Sequence, residues 1–444
     1  MIRRLVLAWC TVTALTLSVT VHPGAAATQP RAEIATSTLD DPFFTYSGDV
    51  PLSSRAPGTV LKTRTVKYHI QGIALPVTVQ QILYRTRDSL GRPVANATSI
   101  IRPAVRRSGP ARVISYQSAY DSLTPADQPS AVIAGGRGLG TVVVNAETAI
   151  IAPALLAGYV VNIPDTQGPR ASFGAGREYG YATLDSLRAL RGSGASDVTT
   201  DSKMALLGYS GGAIATEWAT ELAPSYAPEV NRQLVGSAFG GVLVHPLHNL
   251  EYVQGSTLWA GVLASGLIGI ARAYDIDIKT YLNDRGLSVV KRLEDKSIAY
   301  ALGQYPGLKW KDLALPQYAS VNEIPDVLRV GNELIMGTGG TPTVPLYVAQ
   351  GTGGWMEGTR SSARYGAGDG IMVAGDVRSL ARQYCAAGTK VKYEQYPLSH
   401  VGTGAAFFPK SLLWTFDRFA GRAPTSTCGR IAAGNSLAPL RATD

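Results

Sequence analysis

The feature that most constrains this chain is a short apolar run that meets a glycine-rich turn and then a helix. Met204-Ala205-Leu206-Leu207 leads directly into Gly208-Tyr209-Ser210-Gly211-Gly212, and helix-forming residues follow to Leu222. The five-residue pattern alone is weak in a chain with 48 glycines, because such short motifs recur by chance. The setting adds the weight. A strand that stops at a tight turn and restarts as a helix needs small neighbours, and it leaves one serine exposed at the bend. The free N–H groups of the helix start then face whatever the serine oxygen meets.

The rest of the chain supplies a frame for such a turn. Val77–Tyr84 and Ala97–Ile101 read as an antiparallel hairpin around the Asp88–Pro93 turn residues. Strand and helix patterns then alternate. Val113–Tyr116, Tyr159–Ile163 and Met204–Leu207 read as strands, with helices over Thr148–Ala157, Tyr179–Arg191 and Gly211–Leu222. A strand at Val344–Gln350, a helix at Val377–Cys385 and a strand at Val391–Tyr396 close the series. Alternation of this kind predicts an α/β fold with a mostly parallel sheet flanked by helices. Residues 244–340 break it with a mainly helical pattern, so a helical cap is expected there. The core then comprises 28–243 and 341–444, the last stretch ending in a Thr/Ser/Ala/Gly-rich tail from 421.

The N-terminus reads as an export signal. Arg3 and Arg4 precede an apolar stretch from Leu5 to Val21, and Ala25-Ala26-Ala27 offers a cleavage site. Removing residues 1–27 leaves 417 residues and lowers the formal charge from +9 to +7. It also removes Cys10, which leaves Cys385 and Cys428. In an oxidising compartment that pair is expected to form one disulfide. The basic residues form no long run, so nucleic-acid binding has no support. The positive balance suits contact with anionic lipid interfaces or a cell envelope. No metal or organic cofactor is expected, because the His and Cys residues form no ligand cluster.

A serine hydroxyl needs a base to act as a nucleophile. In elbow-type enzymes the chain order is serine, acid, histidine. His69 precedes the serine. His245 and His248 come early, with no core strand expected between them and Ser210 to carry an acid. They are read as cap-hinge or pocket-wall residues. His400, in the loop after the last strand, is the expected base. The acid belongs after Val344–Gln350, where Glu357, Asp369 and Asp376 are candidates. Asp376 reads as a helix N-cap. Glu357 lies in what looks like an inserted loop. Asp369, in a tight Gly-Asp-Gly turn, is preferred.

Several motifs then carry a family likeness: DPF at 41–43, PGTVL at 57–61, SYQSAYDS at 115–122 and GYSGG at the elbow. VPLYVAQG at 344–351, DGIMVAGDVRSLARQYC at 369–385 and YPLSH at 396–400 extend it. From about Asp41 to Cys428 the chain resembles the secretory lipase family, α/β-hydrolases that include the fungal lipase A type and actinomycete relatives. The resemblance implies that Asp369 is the acid and that the N–H groups of Gly211 and Asp121 form the oxyanion hole. It implies that the helical insert forms an acyl pocket. Two departures stand out. No cysteine follows Asp121-Ser122 to anchor that loop, and residues 352–368 are extra, with Trp355 expected at their tip. The resulting expectation is an exported serine ester hydrolase, a lipase acting on acyl esters. The alternatives are a short-chain carboxylesterase or acyltransferase with the same residues, or a silent envelope-binding protein.

Overall fold

A computed structural model describes residues 41–105, 108–194 and 197–442. The expected signal segment and Cys10 lie outside the described residues. Among the described residues nine strands form one sheet: β1 (Val60–Ile70), β2 (Ile73–Arg87), β3 (Pro93–Ile101), β4 (Val113–Gln117), β5 (Val160–Pro164), β6 (Met204–Tyr209), β7 (Leu234–Gly240), β8 (Leu346–Gly351) and β9 (Val391–Tyr396). Their order is β1-β2-β3-β5-β4-β6-β7-β8-β9. The first three strands and the β3–β5 contact are antiparallel. All pairs from β5 to β9 are parallel. This is the α/β-hydrolase arrangement.

β6 lies inside the sheet between β4 and β7 and is buried on both faces, so its sequence is apolar throughout instead of alternating. Met204 and Leu206 face one core layer, while Ala205, Leu207 and Tyr209 face the other. On the second side lies helix α1 (Val142–Leu156). The first side is covered by α2 (Gly176–Gly192) and α3 (Gly211–Tyr226). Between β7 and β8 the chain leaves the sheet as α4 (Pro246–Val253), α5 (Ala260–Ala273), α6 (Asp284–Leu293) and α7 (Pro325–Glu333). These helices share a separate apolar core that includes Leu250, Val262, Ile268, Val290 and Leu293. After β8, α8 (Ala374–Ala386) joins α2 and α3 on their face, and α9 (His400–Phe419) joins α1 on the other.

Two strands go beyond the sequence expectation. β1 lies in a stretch that reads as polar, and its outward residues are solvated as an edge strand allows. β7 falls between Ser210 and the early histidines, which corrects the premise that sets those histidines aside. Asp376 is also corrected: Val373 is the N-cap of α8, and Asp376 lies in its first turn.

Cys385 and Cys428 are bonded, with Cα atoms 5.6 Å apart. The bridge ties the tail beyond α9 to the end of α8. The tail continues over the cap hinge. Asn435 donates to the Asp376 carboxylate at 2.7 Å, and Leu440 N–H donates to Asn332 at 2.9 Å.

Candidate active site

Ser210 stands between β6 and α3 with φ 57° and ψ −124°, a conformation a non-glycine residue holds only when its surroundings enforce it. Those surroundings explain the glycines. A Cβ on Gly208 would collide with the Gly212 carbonyl, one on Gly212 with the Gln117 carbonyl, and one on Gly211 with the Asp121 carboxyl. Thr216 locks the turn from below by donating to Gln117 Oε1 at 2.9 Å.

His400 opens α9, and Ser399 caps that helix by accepting from the Gly402 N–H at 3.2 Å. The imidazole Nε2 lies 2.8 Å from Ser210 Oγ, and Nδ1 lies 2.8 Å from Asp369 Oδ2. The other Asp369 oxygen accepts from the N–H groups of Ile371 and Met372, at 3.1 and 2.8 Å. Asp369 is wholly buried. The three residues thus form one unbroken hydrogen-bond chain. Tyr209 braces it: its hydroxyl donates to the His400 carbonyl at 2.6 Å, and its ring lies 5.0 Å from the imidazole. Burial alone would push the imidazole pKa down. The charge and hydrogen bond of Asp369, with further help from Glu357 and Asp121, outweigh it and raise the pKa above the ordinary value.

The extra residues 352–368 do not displace the acid, because they form a closed loop. Gly354 N–H bonds the Gly368 carbonyl at 2.9 Å, so the loop leaves and re-enters at one point. Trp355 stands out from it, 71% exposed.

Asp121 and Gly211 line the same cavity floor as Ser210. Gly211 is the first residue of α3, so its N–H has no partner within the helix. Asp121 has positive φ (30°). Its carboxyl lies against Gly211 and accepts from Gln167 Nε2 at 3.1 Å. Burial, with Glu147 nearby, pushes that carboxyl up to about 8.

The loop that carries Asp121 is held by the cap in place of a second disulfide. Ile298 N–H donates to the Asp121 carbonyl, and Leu123 N–H donates to the Lys296 carbonyl. Arg272 of α5 donates to the Leu123 carbonyl at 2.8 Å. Gln167 completes the hold by accepting from Ser122 N–H at 3.1 Å. Sequence reasoning misses Gln167 and Arg272. The one available signal for Gln167 is its place in the loop after β5, beside Asp165 and Gly168. Asp165 itself is buried and accepts from Ser130 N–H.

The early histidines do not line the cavity. His245 and His248 stack at 3.6 Å, and His248 also stacks on Tyr365 and pairs with Asp376 at 3.1 Å. A cavity opens above Ser210. Its walls are almost wholly apolar, with Leu247 and Leu250 from α4 and Val262, Leu263, Leu267 and Ile270 from α5.

A family profile described as secretory lipase matches residues 135–427. Lipase 2 of Candida albicans is 31% identical over 418 residues, covering 90% of this chain and 85% of that protein. A Mycobacterium tuberculosis protein named "Probable inactive lipase" is also 31% identical, covering 86% of this chain and 82% of its own length. Among solved structures, Candida antarctica lipase A in its closed state is 28% identical, with TM-score 0.77 and 90% of each chain covered. The rice cell wall degrading esterase LipA of Xanthomonas oryzae shares the fold alone, at 15% identity and TM-score 0.56 over 82% of this chain and 97% of that one. The chain belongs to the secretory lipase family and is an extracellular carboxylic ester hydrolase.

Proposed function

We propose that Ser210 is the nucleophile, His400 its general base and Asp369 the acid that orients the imidazole, in a lipase working through an acyl-enzyme. The observation that carries this reading is the unbroken Ser210–His400–Asp369 hydrogen-bond chain at the floor of an apolar cavity. Family membership alone is not enough, since one relative is named inactive.

His400 Nε2 takes the proton as Ser210 Oγ attacks the acyl carbonyl. The tetrahedral oxyanion is met by the N–H groups of Gly211 and Asp121, each contributing about 2.7–4 kcal/mol of transition-state stabilisation. The imidazolium returns its proton to the leaving alcohol. Water, activated by the same imidazole, then releases the carboxylic acid. Asp369 fixes the tautomer with the proton on Nδ1 and stabilises the imidazolium. The apolar walls favour an acyl chain over a short acetyl group, which supports a lipase over a short-chain esterase. A lipid interface is the partner this reading requires, as the source of long-chain esters.

The test is a series of p-nitrophenyl esters from C2 to C16 on the wild-type protein and Ser210→Ala. Turnover centred on medium and long chains, lost in the variant, is expected. Turnover confined to C2–C4 would favour the esterase reading.

A further inference from the structure

Asp369 is not the only carboxylate at the histidine. Glu357, a candidate acid by its place in the sequence, makes no hydrogen bond to the imidazole. One oxygen accepts from the Val401 N–H at 3.0 Å, in the first turn of α9 immediately after His400. The other accepts from Trp259 Nε1 at 2.8 Å. Trp259 belongs to the cap: it is the N-cap residue of α5, and it is buried. Its ring lies edge-on to His400, 5.3 Å away at 80°. The adjoining backbone repeats the link, because Thr257 N–H of the cap donates to the Gly358 carbonyl at 3.1 Å.

A carboxylate suits this point for two reasons. The Val401 N–H is one of the first-turn donors that a helix cannot satisfy internally. Negative charge is also favoured at a helix N-terminus. Space is reserved for the group: a Cβ on Gly370, which has φ +129°, would lie 2.8 Å from Glu357 Oε2 and 2.9 Å from Trp259 Nε1.

From this geometry we infer that Glu357 is a positioning residue, which clamps the His400 turn to Trp259 of the cap and holds the imidazole ready between Ser210 and Asp369. The inference rests on the proposed roles of those three residues. It also accounts for the inserted loop, because residues 352–368 carry a second carboxylate to the histidine without disturbing the first. The same charge favours the imidazolium that forms as Ser210 attacks. The groups that bear on His400 electrostatically are Asp369, Glu357 and Asp121, and all three raise its pKa. Removing the Glu357 charge therefore lowers it, and the acidic limb of the rate profile moves to lower pH.

Glu357→Gln and Trp259→Phe test this on soluble butyrate esters, beside Ser210→Ala. In Glu357→Gln, kcat should fall about tenfold with KM within about twofold, since a hydrogen bond to a charged group is lost where the transition state uses it. Its acidic limb in kcat/KM should move down by about half a pH unit or more. A helix cap with no role at the imidazole would leave that limb in place. Trp259→Phe keeps the carboxylate and removes one anchor, so kcat should fall about threefold with the limb unmoved. If Glu357→Gln does not fold, an undiminished kcat in Trp259→Phe overturns the clamp. Wild-type kcat and limb in a folded Glu357→Gln overturn it directly, provided Ser210→Ala is dead. An active Ser210→Ala would instead overturn the underlying reading.

Discussion

The cleft has two unlike walls. The wall built on the sheet is polar, and its reacting groups are held by specific bonds. Asp369 uses both oxygens, His400 uses both ring nitrogens, and Asp121 is tied through Gln167. The wall built from the cap is apolar where it faces the cavity, and the side chains there meet by packing. Chemistry demands fixed distances, so a change of one atom on the first wall is costly. Recognition of an acyl chain demands volume and dryness, so the second wall tolerates substitution within limits of size.

The largest effect should come from the polar wall. Ser210→Ala should lower kcat by a factor of roughly a million, and Asp369→Asn by about ten thousand through loss of the correct tautomer. Both are read with a p-nitrophenyl butyrate assay on folded protein. Loss of less than a hundredfold in either would mean that the sheet wall is not where the reaction is organised.

The apolar wall should change selectivity without stopping the reaction. Gly266 lines the cavity, and nothing lies within 4 Å of a Cβ added there. Gly266→Phe should therefore fold and cut C16 turnover about tenfold or more relative to C4. Gly269, one turn on, is a control of another kind. A Cβ there would run into the backbone of Phe173, so Gly269→Phe should destabilise the cap instead. An unchanged chain-length profile in Gly266→Phe would separate the cavity from the acyl chain.

Two smaller effects concern the frame behind both walls. Removing the disulfide by Cys428→Ser should cost about 2–5 kcal/mol of stability, measured by denaturant unfolding. Activity at 25 °C should survive, because the bridge joins α8 to the tail and does not touch the site. The buried carboxyls set a pH dependence. Burial raises Asp121 to about 8 and Glu147, Asp165 and Glu178 to about 7 each. Folded protein keeps these protons where the unfolded chain would release them. Their stabilisation is thus full below about pH 4 and lost as pH rises through 7 to 8. The thermal midpoint should be higher at pH 5 than at pH 8.5, and the opposite order would mean that these groups are charged in the fold.

The two walls also differ in how far the sequence announces them. The elbow is legible because its strand, turn and helix are contiguous, and each glycine is required by a nearby atom. Asp369 and His400 follow from chain order and from motif likeness. The cap is recognisable as helical, but its contacts with the Asp121 loop are not, since Ile298, Arg272 and Gln167 are distant in sequence and carry no motif. β7 escapes notice because its middle is Gly236-Ser237, where strand propensity is poor. Gly236 is there because Trp414 and Arg418 of α9 press on that strand, a constraint visible only in three dimensions. The presence of β7 also removes the chain-order reason for setting His245 and His248 aside. Their stacking on each other, with His248 also held by Tyr365 and Asp376, is what keeps them from Ser210.

One measurement bears on the central claim most directly. The protein is treated with a fluorophosphonate at neutral pH, digested, and the modified peptide identified by mass spectrometry. Ser210 should carry the label stoichiometrically, and Ser210→Ala and His400→Ala should remain unlabelled. A label on another residue, or none on a folded and ester-hydrolysing protein, would contradict the account.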